Sequence, residues 1–400
     1  MLITAQRLFD GVNEELLRDA AVHIRGDRVQ WTGPASAAAV APGEARVDLG
    51  DVTLLPGLID MHNHLRIIHG QDSLHRQMTD PEVPYILHAT RHLAMNLRAG
   101  VTTMKCNGDR DFYDVQMREA LRAGLARGPR LLVAGKAIKS SRCTGGVVGT
   151  ALCDGPDAIR AAIQDNVRTG VDFIKIFATG TLLGPREEVL APAYAGEEIS
   201  AAAVAAHAAG RLIAAHCHGG SAADDCIEAG VDILEHGSLL RRDQLETMAE
   251  RGTWLCITQG VLLHPRVGMV ERLAGPDANQ IQRRIDEVQV AMGEALRTGV
   301  RYVLGTDAVH GGLPFELQAL ERLGARRVDA LRAVTGWAGA ALKQPDSLGV
   351  IRPGADADLI AVPGNPLESL ACLDRVPWIM QAGAVILPPT SPDYSRKGCE

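Results

Sequence analysis

Apolar and polar positions change their period along the chain. Near the start, Val22-His23-Ile24 and Val29-Gln30-Trp31 flank Gly26-Asp27, the pattern of a β-hairpin, and residues 47–55 add extended chain. From residue 54 onward, short apolar and β-branched runs alternate with Ala-, Leu- and Arg-rich stretches of helical composition. The runs span 54–60, 101–106, 131–135, 172–178, 212–216, 231–235, 253–258 and 302–306. The helical stretches span 83–98, 113–127, 157–168, 197–209, 221–229, 241–251, 279–297 and 328–342. Gly100, Gly170, Gly210 and Gly230 stand where four of these helices should end.

Eight such strands, buried on both faces and alternating with helices over roughly 290 residues, predict an α/β protein with a (β/α)₈ TIM barrel. A doubly wound open sheet is the alternative. After the turn-rich Gly349-Val350-Ile351-Arg352-Pro353-Gly354, residues 357–362 and 378–386 again look like strands. The predicted organisation is therefore a barrel over 56–348 and a small β-sandwich domain built from both chain ends, 1–55 and 349–400.

The 400 residues are 46% hydrophobic and 22% charged, enough apolar material for one large core. With 41 basic and 48 acidic residues the net charge is -7, which leaves no electrostatic footprint for nucleic acid or an anionic membrane. No window approaches the ~18 uninterrupted apolar residues of a membrane helix, and Met1-Leu2-Ile3-Thr4 begins no secretory leader pattern. A cytoplasmic protein acting on a small molecule is expected. The cysteines at 106, 143, 153, 217, 226, 256, 372 and 399 form no CxxC pair and are expected to be free thiols.

Chemistry gathers at the ends of the predicted strands. The first run closes on His62-Asn63-His64, and residues two apart on a strand project to one side, where both rings can grip one ion. The fourth carries Lys175 at its centre, between Phe173 and Phe177, where an ammonium is costly unless it is neutral, paired or chemically changed. The fifth ends in His216-Cys217-His218, the sixth in Glu235-His236, and the eighth in Thr306-Asp307. Five strand ends thus bring His, Lys, His, His and Asp to one rim of the predicted barrel, the rim where barrel enzymes keep their chemistry.

Pro56-Gly57-Leu58-Ile59-Asp60-Met61-His62-Asn63-His64, Lys175, His216, Glu235-His236-Gly237 and Gly305-Thr306-Asp307 together resemble the amidohydrolase superfamily. Gly100-Val101-Thr102-Thr103, Phe173-Ile174-Lys175-Ile176 and Gly354-Ala355-Asp356-Ala357-Asp358-Leu359 are similar to its imidazolonepropionase-like branch, which includes Xaa-Pro dipeptidases and other carboxylated-lysine amide hydrolases. The resemblance implies two divalent ions, zinc by ligand type, with His62, His64 and Asp307 on one and His216 and His236 on the other. Lys175, carrying a CO₂-derived carboxylate, would bridge them. It further implies hydrolysis of an amide bond in a dipeptide, N-acyl amino acid or xenobiotic, with Asp307 as proton carrier, His218 as a catalytic oxyanion contact, and a homo-oligomeric assembly.

The chain departs from that branch at Val147, where relatives carry a histidine, and at Lys105-Cys106-Asn107-Gly108. Arg142, Tyr194, His218 and His310 are the substrate-contact candidates, whereas His23, His75, His88, His92, His207 and His264 read as structural or solvated. Competing readings are a lactone or carbamate hydrolase on the same site, a mononuclear deaminase without use of Lys175, and a non-catalytic assembly protein, which would be expected to have lost ligands.

Overall fold

A computed structural model describes residues 1–39, 41–69, 77–143, 149–182, 186–265 and 278–387. Val147, His75 and Cys399 lie outside them. Parallel strands form two sheets. The smaller holds Leu58–Asn63, Val101–Cys106 and Arg130–Val133 in that order. The larger runs Thr150–Leu152, Ala137–Lys139, Phe173–Phe177, Leu212–Cys217, Ile233–His236, Trp254–Ile257 and Tyr302–Leu304. The two sheets meet at both margins. On one side Asp172 N donates to Val133 O at 2.8 Å, and on the other Asp307 N donates to His62 O at 2.7 Å.

The inward and outward faces of these strands follow the period of two. Phe173 packs with Ile59, Met61, Ala214, Ile233 and Cys256, while Ile174 and Ile176 join the cluster that covers the helices. All five residues of Phe173–Phe177 are buried, as expected of a strand covered on both sides.

Both chain ends share a separate eight-stranded sheet. Val52–Pro56 lies between Leu2–Leu8, to which it is parallel, and Leu359–Pro363, to which it is antiparallel. Leu17–Arg25 and Arg28–Pro34 form the expected hairpin on one flank. The stretch 378–386 is two strands, Trp378–Gln381 and Ala384–Leu387, because Ala382 (φ 48°) and Gly383 (φ 76°) turn the chain back in a two-residue hairpin.

Three further expectations are corrected. The run 54–60 is broken at Gly57, where an added Cβ would fall 2.0 Å from Thr102 Oγ1 and where the backbone N–H turns to Asp358 O. The chain passes there from one sheet into another. The helix expected over 328–342 is two, Arg327–Ala333 and Gly336–Ala341, because Val334 O leaves the helical ladder to accept from Ile59 N at 2.8 Å. Leu313–Arg322 forms a helix that the Gly311-Gly312 pair and Pro314 had concealed, although proline is tolerated in a first turn. None of the seven described cysteines is in a disulfide. Among the described residues no helix is long and apolar enough to cross a membrane.

Candidate active site

Asp60, fully buried, fastens the first parallel strand to the last. One carboxylate oxygen accepts from His62 N at 3.2 Å and Thr306 N at 3.0 Å, and the other from Asn63 Nδ2 and Thr306 Oγ1, both at 2.7 Å. Gly305 permits the approach, since a Cβ there would lie 2.4 Å from His62 Cβ. The consequence is that Asp307, reached through a left-handed backbone step (φ 46°), sets one carboxylate oxygen 3.3 Å from His62 Nε2 and 3.4 Å from His64 Nε2. Burial pushes the Asp307 carboxyl up, but the His62 and His64 imidazoles outweigh it and hold the group well below the usual range, so it is an anion.

The remaining histidines gather against this trio. His62 and His236 have ring centroids 4.7 Å apart, His216 and His236 4.6 Å, His216 and His218 4.7 Å, and His218 and His236 5.1 Å. Each of the five rings has one nitrogen engaged by a neighbouring group. His62 Nδ1 meets Glu235 Oε2 at 2.7 Å, His64 Nδ1 faces Gly108 O at 3.4 Å, and His216 Nε2 faces Gly180 O at 3.1 Å. His218 Nδ1 bonds Ser238 Oγ at 3.1 Å, and His236 Nδ1 bonds Thr258 Oγ1 at 2.8 Å. The other nitrogens of His62 and His64 face Asp307, and His218 Nε2 is buried with no hydrogen-bond partner. Burial lowers the pKa of His64, His216 and His236 and takes His218 down to about 3, so each of these rings is neutral, with one N–H and one lone pair.

Lys175 stands on the inward face of Phe173–Phe177, fully buried, and its Nζ has no hydrogen-bond partner. Its pKa is lowered to about 8, chiefly by burial and also by the Lys105 ammonium, against the opposing pull of Glu235 and Asp307. The six residues proposed from the sequence as ligands therefore occupy one inner region at the C-terminal ends of the parallel strands.

The substrate-contact candidates fare differently. Arg142 is ion-paired with Glu198 at 2.7 Å and also bonds Ser140 Oγ. Tyr194 is buried and its hydroxyl donates to Cys153 O at 2.9 Å. His310 stacks on His92 with ring centroids 4.0 Å apart, and its nitrogens face Ile67 O at 2.9 Å and Asn96 Nδ2 at 3.2 Å. All three bond to protein groups in this structure, and His218 lies against the histidine cluster. Cavities of about 510 Å³ beside Arg251, Trp254 and Arg301, and about 480 Å³ beside Asp172, His207 and Leu212, open at the opposite strand ends and contain none of the clustered histidines.

Two buried residues escaped the sequence reading. Lys105 and Glu235, each with a fully buried side chain, meet at 2.6 Å directly behind His62. Lys105 carries the same signal as Lys175, a lysine in an otherwise uncharged, fully buried strand.

A model of the amidohydrolase family matches residues 53–382. The chain is 27% identical over 348 residues to ochratoxinase of Aspergillus niger, covering 79% of this chain and 71% of that one. It is 25% identical over 396 residues to imidazolonepropionase of Cutibacterium acnes, covering 89% of each. Among solved structures, a Xaa-Pro dipeptidase with methionine bound in its active site superposes with a TM-score of 0.87 at 26% identity, covering 97% of this chain and 99% of that one. A match over most of the sequence, with clustered neutral histidines beside an ionised aspartate, has one conclusion: the chain belongs to the amidohydrolase family and is a hydrolase of carbon–nitrogen bonds.

Proposed function

We propose that the protein is a binuclear metal-dependent hydrolase of small-molecule amides, working inside a (β/α)₈ barrel that the two parallel sheets close between them, with the end sheet as a separate small domain. One observation carries the reading: five imidazoles cluster in the same buried region as an amine that has no hydrogen-bond partner. An arrangement left dry would strand these polar groups at several kcal/mol in total. A cation fits it. The candidate donor atoms of His62, His64 and Asp307 lie within 4.8 Å of one another.

In this reading His62, His64 and Asp307 hold one divalent ion, His216 and His236 a second, and imidazole and carboxylate donors suit zinc. When bound, the ions would polarise the scissile carbonyl and bring the pKa of a shared water towards 7. Lys175, with its depressed pKa, has neutral amine available near pH 8 to form an N–C bond with CO₂ and release a proton, and the resulting carboxylate would be a further anionic group to hold metal. Asp307, ionised and at the rim, takes the proton from the attacking water and passes it to the leaving nitrogen. His218, through its unpartnered Nε2, donates to the oxyanion.

One relative, a Xaa-Pro dipeptidase by name, supports a substrate in which an amino acid forms one side of the amide. The experiment is elemental analysis of purified protein, followed by a screen of N-acyl amino acids, dipeptides, lactones and carbamates. About two ions per chain and turnover confined to amides are expected. Full activity in protein free of metal would overturn the reading.

A further inference from the structure

Behind the histidine cluster lies a charged pair for which the hydrolytic chemistry has no use. Lys105, on Val101–Cys106, and Glu235, on Ile233–His236, both have fully buried side chains. Glu235 divides its carboxylate: Oε1 takes the Lys105 ammonium at 2.6 Å and Oε2 takes His62 Nδ1 at 2.7 Å. Lys105 also donates to Asn107 Oδ1 at 2.7 Å and sits 4.2 Å from the centre of the Phe173 ring. The donor atoms of His62, Glu235 and Cys256 are close enough together to suggest a second cation seat. The Lys105 ammonium already neutralises the carboxylate of that group through its other oxygen.

Apart from the contacts of His62 and His64 Nε2 with Asp307, His62 Nδ1 is the ring nitrogen that meets a carboxylate; the corresponding nitrogens of the other four rings meet a backbone carbonyl or a hydroxyl. A carboxylate accepts more strongly than a neutral oxygen, and such an acceptor fixes both the tautomer and the orientation of a ligating imidazole. A buried carboxylate without a counter-charge is strongly destabilising, and Lys105 supplies that charge. We propose that Glu235 and Lys105 are positioning residues that lock His62 in its Nδ1–H form, so that Nε2, beside Asp307, is the lone pair it presents to a cation. This rests on the metal-dependent reading above.

Replacing one partner should invert the lock, and replacing both should restore it. In Glu235→Gln the amide oxygen must turn to the Lys105 ammonium, which leaves the amide NH₂ facing His62 and forces the ring into the Nε2–H form. In Glu235→Gln with Lys105→Met the oxygen is free to turn back to His62 Nδ1–H. Metal-free full-length protein is titrated with zinc against a chromophoric chelator, with thermal unfolding confirming that each metal-free variant is folded. The single variant is expected to lose about 10–100-fold in affinity for one ion, and the double variant to recover most of it. Unchanged affinity in Glu235→Gln, or a double variant weaker than the single, overturns the inference, since a purely structural pair would show added damage and no rescue.

If Glu235→Gln does not fold, the ¹⁵N-histidine spectrum of the metal-free wild type decides. His62, assigned by its absence from His62→Asn, should show a protonated Nδ1 and a bare Nε2; the reverse overturns the proposal. Wild-type protein that binds no zinc would defeat the metal-dependent reading itself, and the spectrum would still judge the tautomer.

Discussion

Lys175→Met should make the metal-free protein more stable while abolishing its activity. The amine is fully buried without a hydrogen-bond partner, and its pKa falls from 10.5 to about 8, chiefly through burial. At ~1.4 kcal/mol per tenfold change in proton affinity, that depression makes the protonated lysine cost the folded state about 3 kcal/mol. The sign follows from the direction. The folded pKa lies below the unfolded one, so between about pH 8 and 10.5 the unfolded chain binds more protons, and wild-type stability rises with pH through that window. Below pH 8 the whole penalty is present. Methionine has nearly the same length and no charge to desolvate, so the variant should gain about 3 kcal/mol at pH 7 and almost nothing at pH 10.5. Urea unfolding of both metal-free proteins at the two pH values measures this. Equal or lower stability of the variant at pH 7 would show that the amine has a stabilising partner, and the argument for a chemically changed lysine would fall with it.

Other substitutions probe the rest of the site. Asp307→Asn should lower kcat by about 10²–10⁴-fold while part of the bound metal survives in elemental analysis, and unchanged turnover would remove it as proton carrier. Gly305→Ala would place a Cβ 2.5 Å from His62 N, so about 1–3 kcal/mol of stability and much of the metal affinity should be lost together in denaturation and zinc titration. Arg142→Ala should change kcat/KM less than about threefold, because its guanidinium is already committed to Glu198 at the partly solvated end of the site; a larger loss would return it to the substrate.

What was legible in the sequence was local. Apolar runs bounded by glycine located the parallel strands to within a few residues, and His62, His64, Lys175, His216, His236 and Asp307 were marked by polar groups at strand ends or centres where burial demands a reason. What was hidden depended on partners distant in the chain. The break at Gly57 is imposed by Thr102, the break after Ala333 by Ile59, and the commitment of Arg142 by Glu198, 56 residues further on. His310 has the residue type of a ligand, yet stacking on His92 across 218 positions cannot be read from either neighbourhood. Lys105, inside the run 101–106, was accessible by the argument applied to Lys175, but its partner Glu235 lies 130 positions away.

The placement of Val52–Pro56 between Leu2–Leu8 and Leu359–Pro363 has a consequence for biosynthesis. One edge of that strand has no partner until about 300 further residues have left the ribosome, on the order of 15–60 s at ordinary translation speeds. Throughout that interval the nascent chain presents a row of open backbone donors and acceptors, a template for pairing with a neighbouring polypeptide. Yield in a host should therefore depend on chaperone capacity more than on final stability, and truncation just before residue 359 should convert a soluble product into aggregate.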